Sequence, residues 1–269
     1  MVLTDDSVHV ESSSGLASTV LLPLASLAAA IGAWWAIVTV FSIPRYIIPS
    51  PAAVFTRMAE SRATLLSNAV ASGEIAALAL LISLVVGVLI GTVVARWALA
   101  KRFLMPPVVA VQSLPKVALA PLFIAWLGFG ALPKVFITLL ITFFPIMVAT
   151  TVGMESVSRD TVYMARSMGC RSRKLLTFIL LPAAAPYIGA AFRTSATLAI
   201  VGVLVSEFVG SANGLGNLLL LASGNRDTTL AFAAIVVVSL LGVLFYAVAA
   251  VLTRVATARL GSHYARSVT

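Results

Sequence analysis

Charged residues are scarce in this sequence. They make up 10% of its 269 residues, against about 25% in an average soluble domain. Hydrophobic residues make up 61%, and the mean hydropathy is +1.08. This composition excludes an ordinary water-soluble domain and indicates a protein whose helices lie in a lipid bilayer.

Cysteine and histidine are almost missing. A single cysteine, Cys170, excludes an internal disulfide and a cysteine-based zinc cluster. His9 and His263 lie near the two ends of the chain, so we expect no intramembrane histidine cluster and no metal site. The sequence also lacks a G-x-x-x-x-G-K-[ST] phosphate loop. We therefore expect a chain that is not an enzyme and binds no cofactor itself.

Apolar stretches long enough to cross a bilayer recur along the chain, since a crossing needs roughly 20 residues. Six of them predict an all-α, polytopic membrane protein with six transmembrane helices, within about residues 19–255. Residues 1–18 carry no Lys or Arg, unlike a secretory signal. We expect a mobile cytoplasmic tail there and a second cytoplasmic tail over 256–269. The six predicted spans are 21–41, 75–95, 107–127, 135–154, 183–205 and 230–252.

The net charge of +9 is better explained by membrane topology than by nucleic-acid binding. Basic residues concentrate in the second and fourth predicted loops and in the C-terminal tail. Because cytoplasmic loops carry the excess of Lys and Arg, we expect both termini in the cytoplasm. The expected location is the inner or plasma membrane, which the chain crosses several times.

Two further patterns bear on local structure. Ser50 and Pro51 predict the start of a short helix at the membrane surface after the first span, with Ser50 as its cap. Gly87 and Gly91 form a small-xxx-small pattern in the second span, which we assign to packing within the chain.

The fourth loop, at about 155–182, is far longer than a helix-to-helix turn needs. Asp160 is predicted to cap a helix that Gly169 ends, and a second helical stretch follows from about Ser172. Leu181-Pro182 leads into the fifth span. The pattern fits either a surface helix that covers the bundle or an element that binds a partner protein. The apolar face of the second stretch is predicted to comprise Leu175, Leu176, Phe178 and Ile179.

This loop resembles the EAA loop of binding-protein-dependent ABC importer permeases, whose pattern is EAA, three residues, Gly, nine residues, then I-x-L-P. Tyr163 and Met164 depart from the pattern by replacing its Glu and first Ala. The resemblance implies a coupling helix that docks on an ATPase subunit. The positions that match are Ala165, Gly169, Ile179, Leu181 and Pro182, and the resemblance implies a coupling site made of these with Tyr163, Arg166, Cys170 and Arg171.

Four other segments are similar to the nitrate/sulfonate/taurine branch of that family, which also contains permeases for bicarbonate-like anions and thiamine-precursor pyrimidines. The resemblance implies a type I ABC importer permease fold. The implied partners are two ATPase subunits that hold ATP and Mg, a second permease copy in a homodimer, an extracytoplasmic binding protein and the bilayer, but no nucleic acid. The segments are 48–51, 115–122, 125–130 and Ser206-Glu207-Phe208 followed by Gly214-Leu215-Gly216.

Three charged residues are candidates for the translocation pathway. Lys116 and Arg193 are predicted near the bilayer midplane, where a cation costs roughly 2.5–3.5 kcal/mol on insertion scales. Two such cations favour an anionic solute. The alternative is that Arg193 does not contact solute and instead bonds backbone carbonyls that a broken helix leaves free. Glu207, at the end of the fifth span, is expected to be solvated or paired with Arg226, with a gating role as the further possibility. Pro115 and Pro121 predict that the third span is broken.

A self-contained secondary transporter or channel is the rival from another class. Such a protein usually carries acidic residues within its spans as a coupling-ion site, and the acidic residues here are expected at span ends or in loops. A membrane enzyme and an energy-coupling-factor subunit are weaker alternatives, because no catalytic cluster is evident and the order of the proline motifs differs.

Overall fold

The computed structural model describes residues 16–266, with side chains from 21 to 257 apart from Pro23. The tail predicted over 1–18 therefore lies almost entirely outside the described residues. Within the described part the chain forms helices joined by short turns and contains no strand, so the all-α prediction is confirmed. The helices are α1 (Leu16–Val40), α2 (Pro51–Glu60), α3 (Arg62–Arg96), α4 (Ala98–Ser113), α5 (Ala120–Leu127), α6 (Ala131–Glu155), α7 (Arg159–Ser167), α8 (Ser172–Leu175), α9 (Leu181–Gly210), α10 (Leu215–Gly224) and α11 (Thr228–Arg266).

Four helical segments of the described chain are long and apolar enough to cross a membrane. They are α3, α6, the continuous stretch 172–210 that contains α8 and α9, and residues 228–257 of α11. The bent pair of α4 with residues 116–127 adds a fifth if it counts as one span. The six-span prediction is thus supported only as far as four or five spans. Its first span falls in α1, where the apolar described segment, Leu24–Val40, is shorter.

The third predicted span is broken, as Pro115 suggested. Residues 107–127 do not form one continuous helix, because α4 and the following segment meet at 90°. Leu114 is extended, as a residue before proline prefers, and Pro115 has no N–H to continue the helix. The chain restarts as a 3₁₀ turn over Lys116–Leu119 before α5 begins.

The core lies where α3, α6 and α9 cross, and small residues permit the close approach. A Cβ added at Gly91 would lie 2.6 Å from the Met147 carbonyl oxygen, and one at Gly87 would lie 2.9 Å from Ile146 Cγ2. Both contacts are with α6, so the prediction that this pair packs within the chain is confirmed. Gly202 of α9 meets Thr138 of α6 in the same way.

Hydroxyl groups join the three core helices. Ser83 of α3 and Thr142 of α6 place their oxygens 2.5 Å apart, and both residues are fully buried. Ser195 of α9 donates to the Thr142 carbonyl oxygen at 3.0 Å. Each hydroxyl therefore has a partner, which matters because an unpaired polar group in an apolar interior costs free energy.

The helix predicted after Pro51 is confirmed. Ser50 is extended, and its hydroxyl accepts from the Ala53 N–H at 3.3 Å, which caps α2. Arg57 on this helix lies 2.7 Å from a carboxylate oxygen of Asp227, just before α11. That hydrogen bond and the Asp227 charge raise the pKa of the Arg57 guanidinium above its usual value. α2 is thereby fixed to the base of α11.

Candidate functional site

The fourth loop begins with α7, which is capped by Ser158 rather than by Asp160. Ser158 is extended, and its hydroxyl accepts from the Thr161 N–H at 3.2 Å. Asp160 already lies inside the first turn of the helix, so the predicted cap was wrong by two residues. Its negative charge there still complements the positive end of the helix dipole.

Gly169 ends α7, as predicted. Its φ of +78° is in the left-handed region, and its N–H bonds the Arg166 carbonyl oxygen at 2.9 Å. The Cys170 N–H bonds the Ala165 carbonyl oxygen at 3.0 Å. These two bonds form a Schellman motif, which favours glycine because a Cβ is strained at that φ.

The second half of the loop is the beginning of a long helix rather than a separate element. α8 starts at Ser172 and runs through a π-helical segment, Leu176–Leu180, into α9. Pro182 follows at the start of α9, where its missing N–H is tolerated. Leu175 is 2% exposed but Phe178 is 66% exposed. The predicted apolar face is therefore buried at Leu175 and exposed at Phe178.

The outer surface of α7 is apolar and basic. Tyr163, Met164 and Met168 are 61%, 62% and 80% exposed, and α7 buries none of its residues. Arg166 and Arg171 are also exposed, while Ala165 and Cys170 are half-buried. We call Tyr163, Met164 and Met168 the α7 patch.

Two contacts attach the base of the loop to the bundle. A guanidinium nitrogen of Arg96, at the end of α3, donates to the Ser172 carbonyl oxygen at 3.1 Å. Lys101 Nζ lies 2.6 Å and 2.9 Å from the two carboxylate oxygens of Glu155 at the end of α6. The base of the loop is therefore attached to the bundle, whereas α7 extends away from it.

Lys116 lies in the 3₁₀ turn at the bend between α4 and α5. Its Nζ is 5.3 Å from the centre of the Phe144 ring on α6, a cation–π distance. The side chain is half-buried. The structure thus places this candidate at the break in the third span, against the core helix α6.

Arg193 is half-buried on α9, and its Nε donates to the Gly189 carbonyl oxygen one turn earlier at 3.3 Å. This is a bond to the backbone of its own helix, as in the alternative interpretation, but the helix is unbroken there. No ion pair of the described residues includes Arg193 or Lys116.

Glu207 is buried, which overturns the expectation that it is solvated. Only 1% of its surface is exposed. Its carboxylate accepts from the Ser72 hydroxyl of α3 at 2.8 Å and from the Gly216 N–H at 2.8 Å. No ion pair between described residues joins it to Arg226, because these contacts hold it inside the helix bundle. The Glu207 carboxylate therefore links the start of α10 to α3 and α9 through these hydrogen bonds.

Two α3 residues that the sequence analysis missed complete this contact. Asn68 accepts from the Gly214 N–H at 2.8 Å, and Ser72 accepts from the Leu215 N–H at 2.9 Å. Their spacing of four places both on one face of a helix, which was the available signal. The three candidates Lys116, Arg193 and Glu207 thus occupy separate environments, and no hydrogen bond between described residues joins them.

Long apolar helices around a buried core, with a broken span and a projecting loop, define a polytopic α-helical membrane protein. The chain belongs to the family of binding-protein-dependent transport system inner membrane components, which it matches over residues 83–257, more than half its length. The family recognised from the EAA-like loop is thereby confirmed.

Several relatives are permeases of named transport systems. The riboflavin transport system permease protein RibX of Chloroflexus aurantiacus is 35% identical, covering 82% of this chain and 83% of the relative. The formylaminopyrimidine transport permease protein ThiX of Halalkalibacterium halodurans is 32% identical over 75% of this chain and 81% of its own. The taurine transport system permease protein TauC of Escherichia coli is 25% identical over 85% of this chain and 86% of its own.

Proposed function

We propose that this chain is the permease of an ATP-driven importer for a small polar solute, and that α7 is the helix through which a separate ATPase drives it. An extracytoplasmic binding protein delivers the solute, and a second permease copy completes the pathway. ATP and Mg are held by the two ATPase subunits. Closure of those subunits supplies the free-energy difference between the inward-open and outward-open states.

The observation that carries this proposal is the α7 patch. Exposed apolar side chains on a polar loop are typical of a surface that another protein covers. The arginines beside the patch, Arg166 and Arg171, suit an acidic rim on the partner. The contact between Arg96 and Ser172 would pass a movement of α7 directly into α3.

The test is recovery of the ATPase with the tagged chain in mild detergent. Met168→Glu introduces a charge at the most exposed position of the α7 patch. We expect it to reduce the recovered ATPase by tenfold or more, because an unpaired charge in an interface is costly. The fold should be unaffected, since Met168 contacts little of its own chain.

Phe55→Glu is the matched control, since Phe55 is 57% exposed on α2, at the other end of the bundle. It should leave ATPase recovery unchanged. If the unsubstituted chain recovers no ATPase, or if Met168→Glu recovers as much as the control, α7 is not the coupling element.

The solute is proposed to be anionic and sulfonate-like, as Lys116 and Arg193 suggest. Half-buried cations without carboxylate partners are suited to an anion in a wet pathway. A heterocyclic solute is the second candidate, because relatives named for riboflavin and formylaminopyrimidine are 35% and 32% identical. Uptake of labelled taurine, riboflavin and formylaminopyrimidine by cells with the complete importer distinguishes the two.

A further inference from the structure

A cavity of about 630 Å³ lies at the end of the bundle opposite α7. One wall is the α5–α6 linker and the first turn of α6, from Phe129 to Lys134. The other wall is the end of α9 and the turn that follows it, residues 210–213, and Ile75 of α3 also lines the cavity. We call it the Lys134 cavity. Its volume falls in the range of roughly 300–1,000 Å³ that small-molecule sites occupy.

Lys134 is the one charged side chain among the residues that line this cavity. Its Nζ donates to the Ser211 hydroxyl at 2.5 Å, across the cavity from α6 to the segment after α9. A hydroxyl is neutral, and none of the ion pairs between described residues includes Lys134. The ammonium group therefore has no carboxylate within ion-pairing distance, and Glu207 acts on it only through a longer-range Coulomb interaction.

The position of Lys134 is not explained by helix stability. It is the fourth residue of α6, where the helix dipole disfavours a positive charge. The nearby buried acid, Glu207, is held by Ser72 and the Gly216 N–H and forms no ion pair with it. A cation kept in this unfavourable place is available to an anionic group from outside the chain.

Hydrogen bonds to the next residues of the chain also fix the position of the cavity wall formed by residues 210–213. Glu207 bonds the Gly216 N–H, and Asn68 bonds the Gly214 N–H, immediately after residues 210–213. A cavity whose wall is fixed before a ligand arrives loses less conformational entropy on binding.

We propose that the Lys134 cavity is an anion-binding site of the permease, in which Lys134 Nζ binds the sulfonate, carboxylate or phosphate group of an entering solute. The identity of that anion as the transported solute rests on the proposed function. The presence of Lys134 in the cavity wall does not depend on it.

A reporter cysteine tests the charge of the cavity without knowledge of the solute. Ala212 lines the cavity and is exposed, and Cys170→Ser removes the native thiol. Cys170→Ser/Ala212→Cys protein in zwitterionic nanodiscs is treated with an anionic methanethiosulfonate, the sulfonatoethyl reagent, or a cationic one, the trimethylammonium-ethyl reagent. The ratio of their two rates, relative to the ratio for free glutathione, is measured.

We expect the relative ratio to favour the anionic reagent, and Lys134→Gln to lower it about three- to tenfold. Lys134→Arg should preserve it. Lys101→Gln is the matched control, because Lys101 is paired with Glu155 at the other end of the bundle. No preference for the anionic reagent, or an equal ratio in Lys134→Gln, would overturn the proposal.

A protection arm identifies the source of the anion. Ethanesulfonate should slow modification of the reporter thiol when Lys134 is present but not in Lys134→Gln, and tetramethylammonium should slow neither. If phosphatidylglycerol in the nanodisc slows the reaction and ethanesulfonate does not, the cavity binds a lipid headgroup and the solute site is refuted. Because no ATPase is present, these outcomes are independent of the Met168→Glu result.

Discussion

At the scale of single residues, Glu207 is the clearest case of a charge used for structure. The Gly216 N–H and the Ser72 hydroxyl both depend on its carboxylate. A Cβ at Gly214 would collide with Glu207 Oε1, so the backbone of this turn passes directly over the acid. The close approach requires glycine, which also suits the φ of +113° at that position.

We predict that Glu207→Ala lowers the free energy of unfolding by about 1–3 kcal/mol, since the buried Gly216 N–H loses its acceptor. Glu207→Gln should lose less, because its carbonyl oxygen still accepts one bond. Thermal unfolding in detergent measures both. Glu60→Ala is the control, as the Glu60 side chain is 59% exposed. A melting temperature for Glu207→Ala equal to that of the control would contradict the assigned role.

The sequence predicted some of these residues and not others, for physical reasons. Gly169 was predictable because a left-handed residue after a helix is usually glycine. The burial of Glu207 was not, because its partner Ser72 is 135 residues away in the chain. The cap of α7 was misassigned since Ser158 and Asp160 are both good capping residues, and only the backbone shows which one is extended.

At the scale of helices, α3 and α6 form a close crossing that depends on Gly87 and Gly91. Sequence alone identified the glycine pair but not its partner, because small-xxx-small patterns fit many helix contacts. The structure supplies the partner residues Ile146, Met147 and Thr150 on α6. In the same way, Pro115 predicted a break in the third span but not its 90° bend, which depends on packing against α6.

We predict that Gly91→Ala destabilises the protein by about 1–3 kcal/mol through overpacking, because its Cβ would lie 2.6 Å from the Met147 carbonyl oxygen. Gly242→Ala on α11 is the matched control, since nothing lies within 4 Å of a Cβ there. It should be neutral or slightly stabilising. Denaturation in detergent compares the stabilities of the two variants. Equal stabilities would contradict the predicted overpacking between α3 and α6 at Gly91.

At the scale of the whole molecule, the two ends of the bundle have different chemistry. One end carries α7 with its apolar patch and arginines, and the other carries α2, α10 and the Lys134 cavity. The concentration of basic residues in the fourth loop predicts that the α7 end is cytoplasmic. The positions of the basic residues along the sequence were sufficient for this expectation, whereas the number of spans depends on helix lengths and bends that those positions do not determine.

We predict that, in cells that express this chain without the ATPase subunits, Cys170 reacts with a membrane-impermeant maleimide in inside-out vesicles and stays unlabelled in right-side-out vesicles. Cys170 is half-buried and follows α7, so a reagent on that side reaches it. Cys170→Ser/Ala212→Cys should show the opposite preference. Labelling of Cys170 from the outer side would mean that the orientation is reversed.

The length of α3 has a mechanical consequence. Its 35 residues extend about 52 Å, while the hydrocarbon layer is about 30 Å thick. The helix is therefore longer than the hydrocarbon layer is thick, and near its first end Asn68 and Ser72 anchor the start of α10. The other end of α3 carries Arg96, whose guanidinium donates to the Ser172 carbonyl oxygen. A protein that binds where Asn68 and Ser72 hold α10 would contact one end of α3, and the other end of α3 is bonded to the base of the α7 loop.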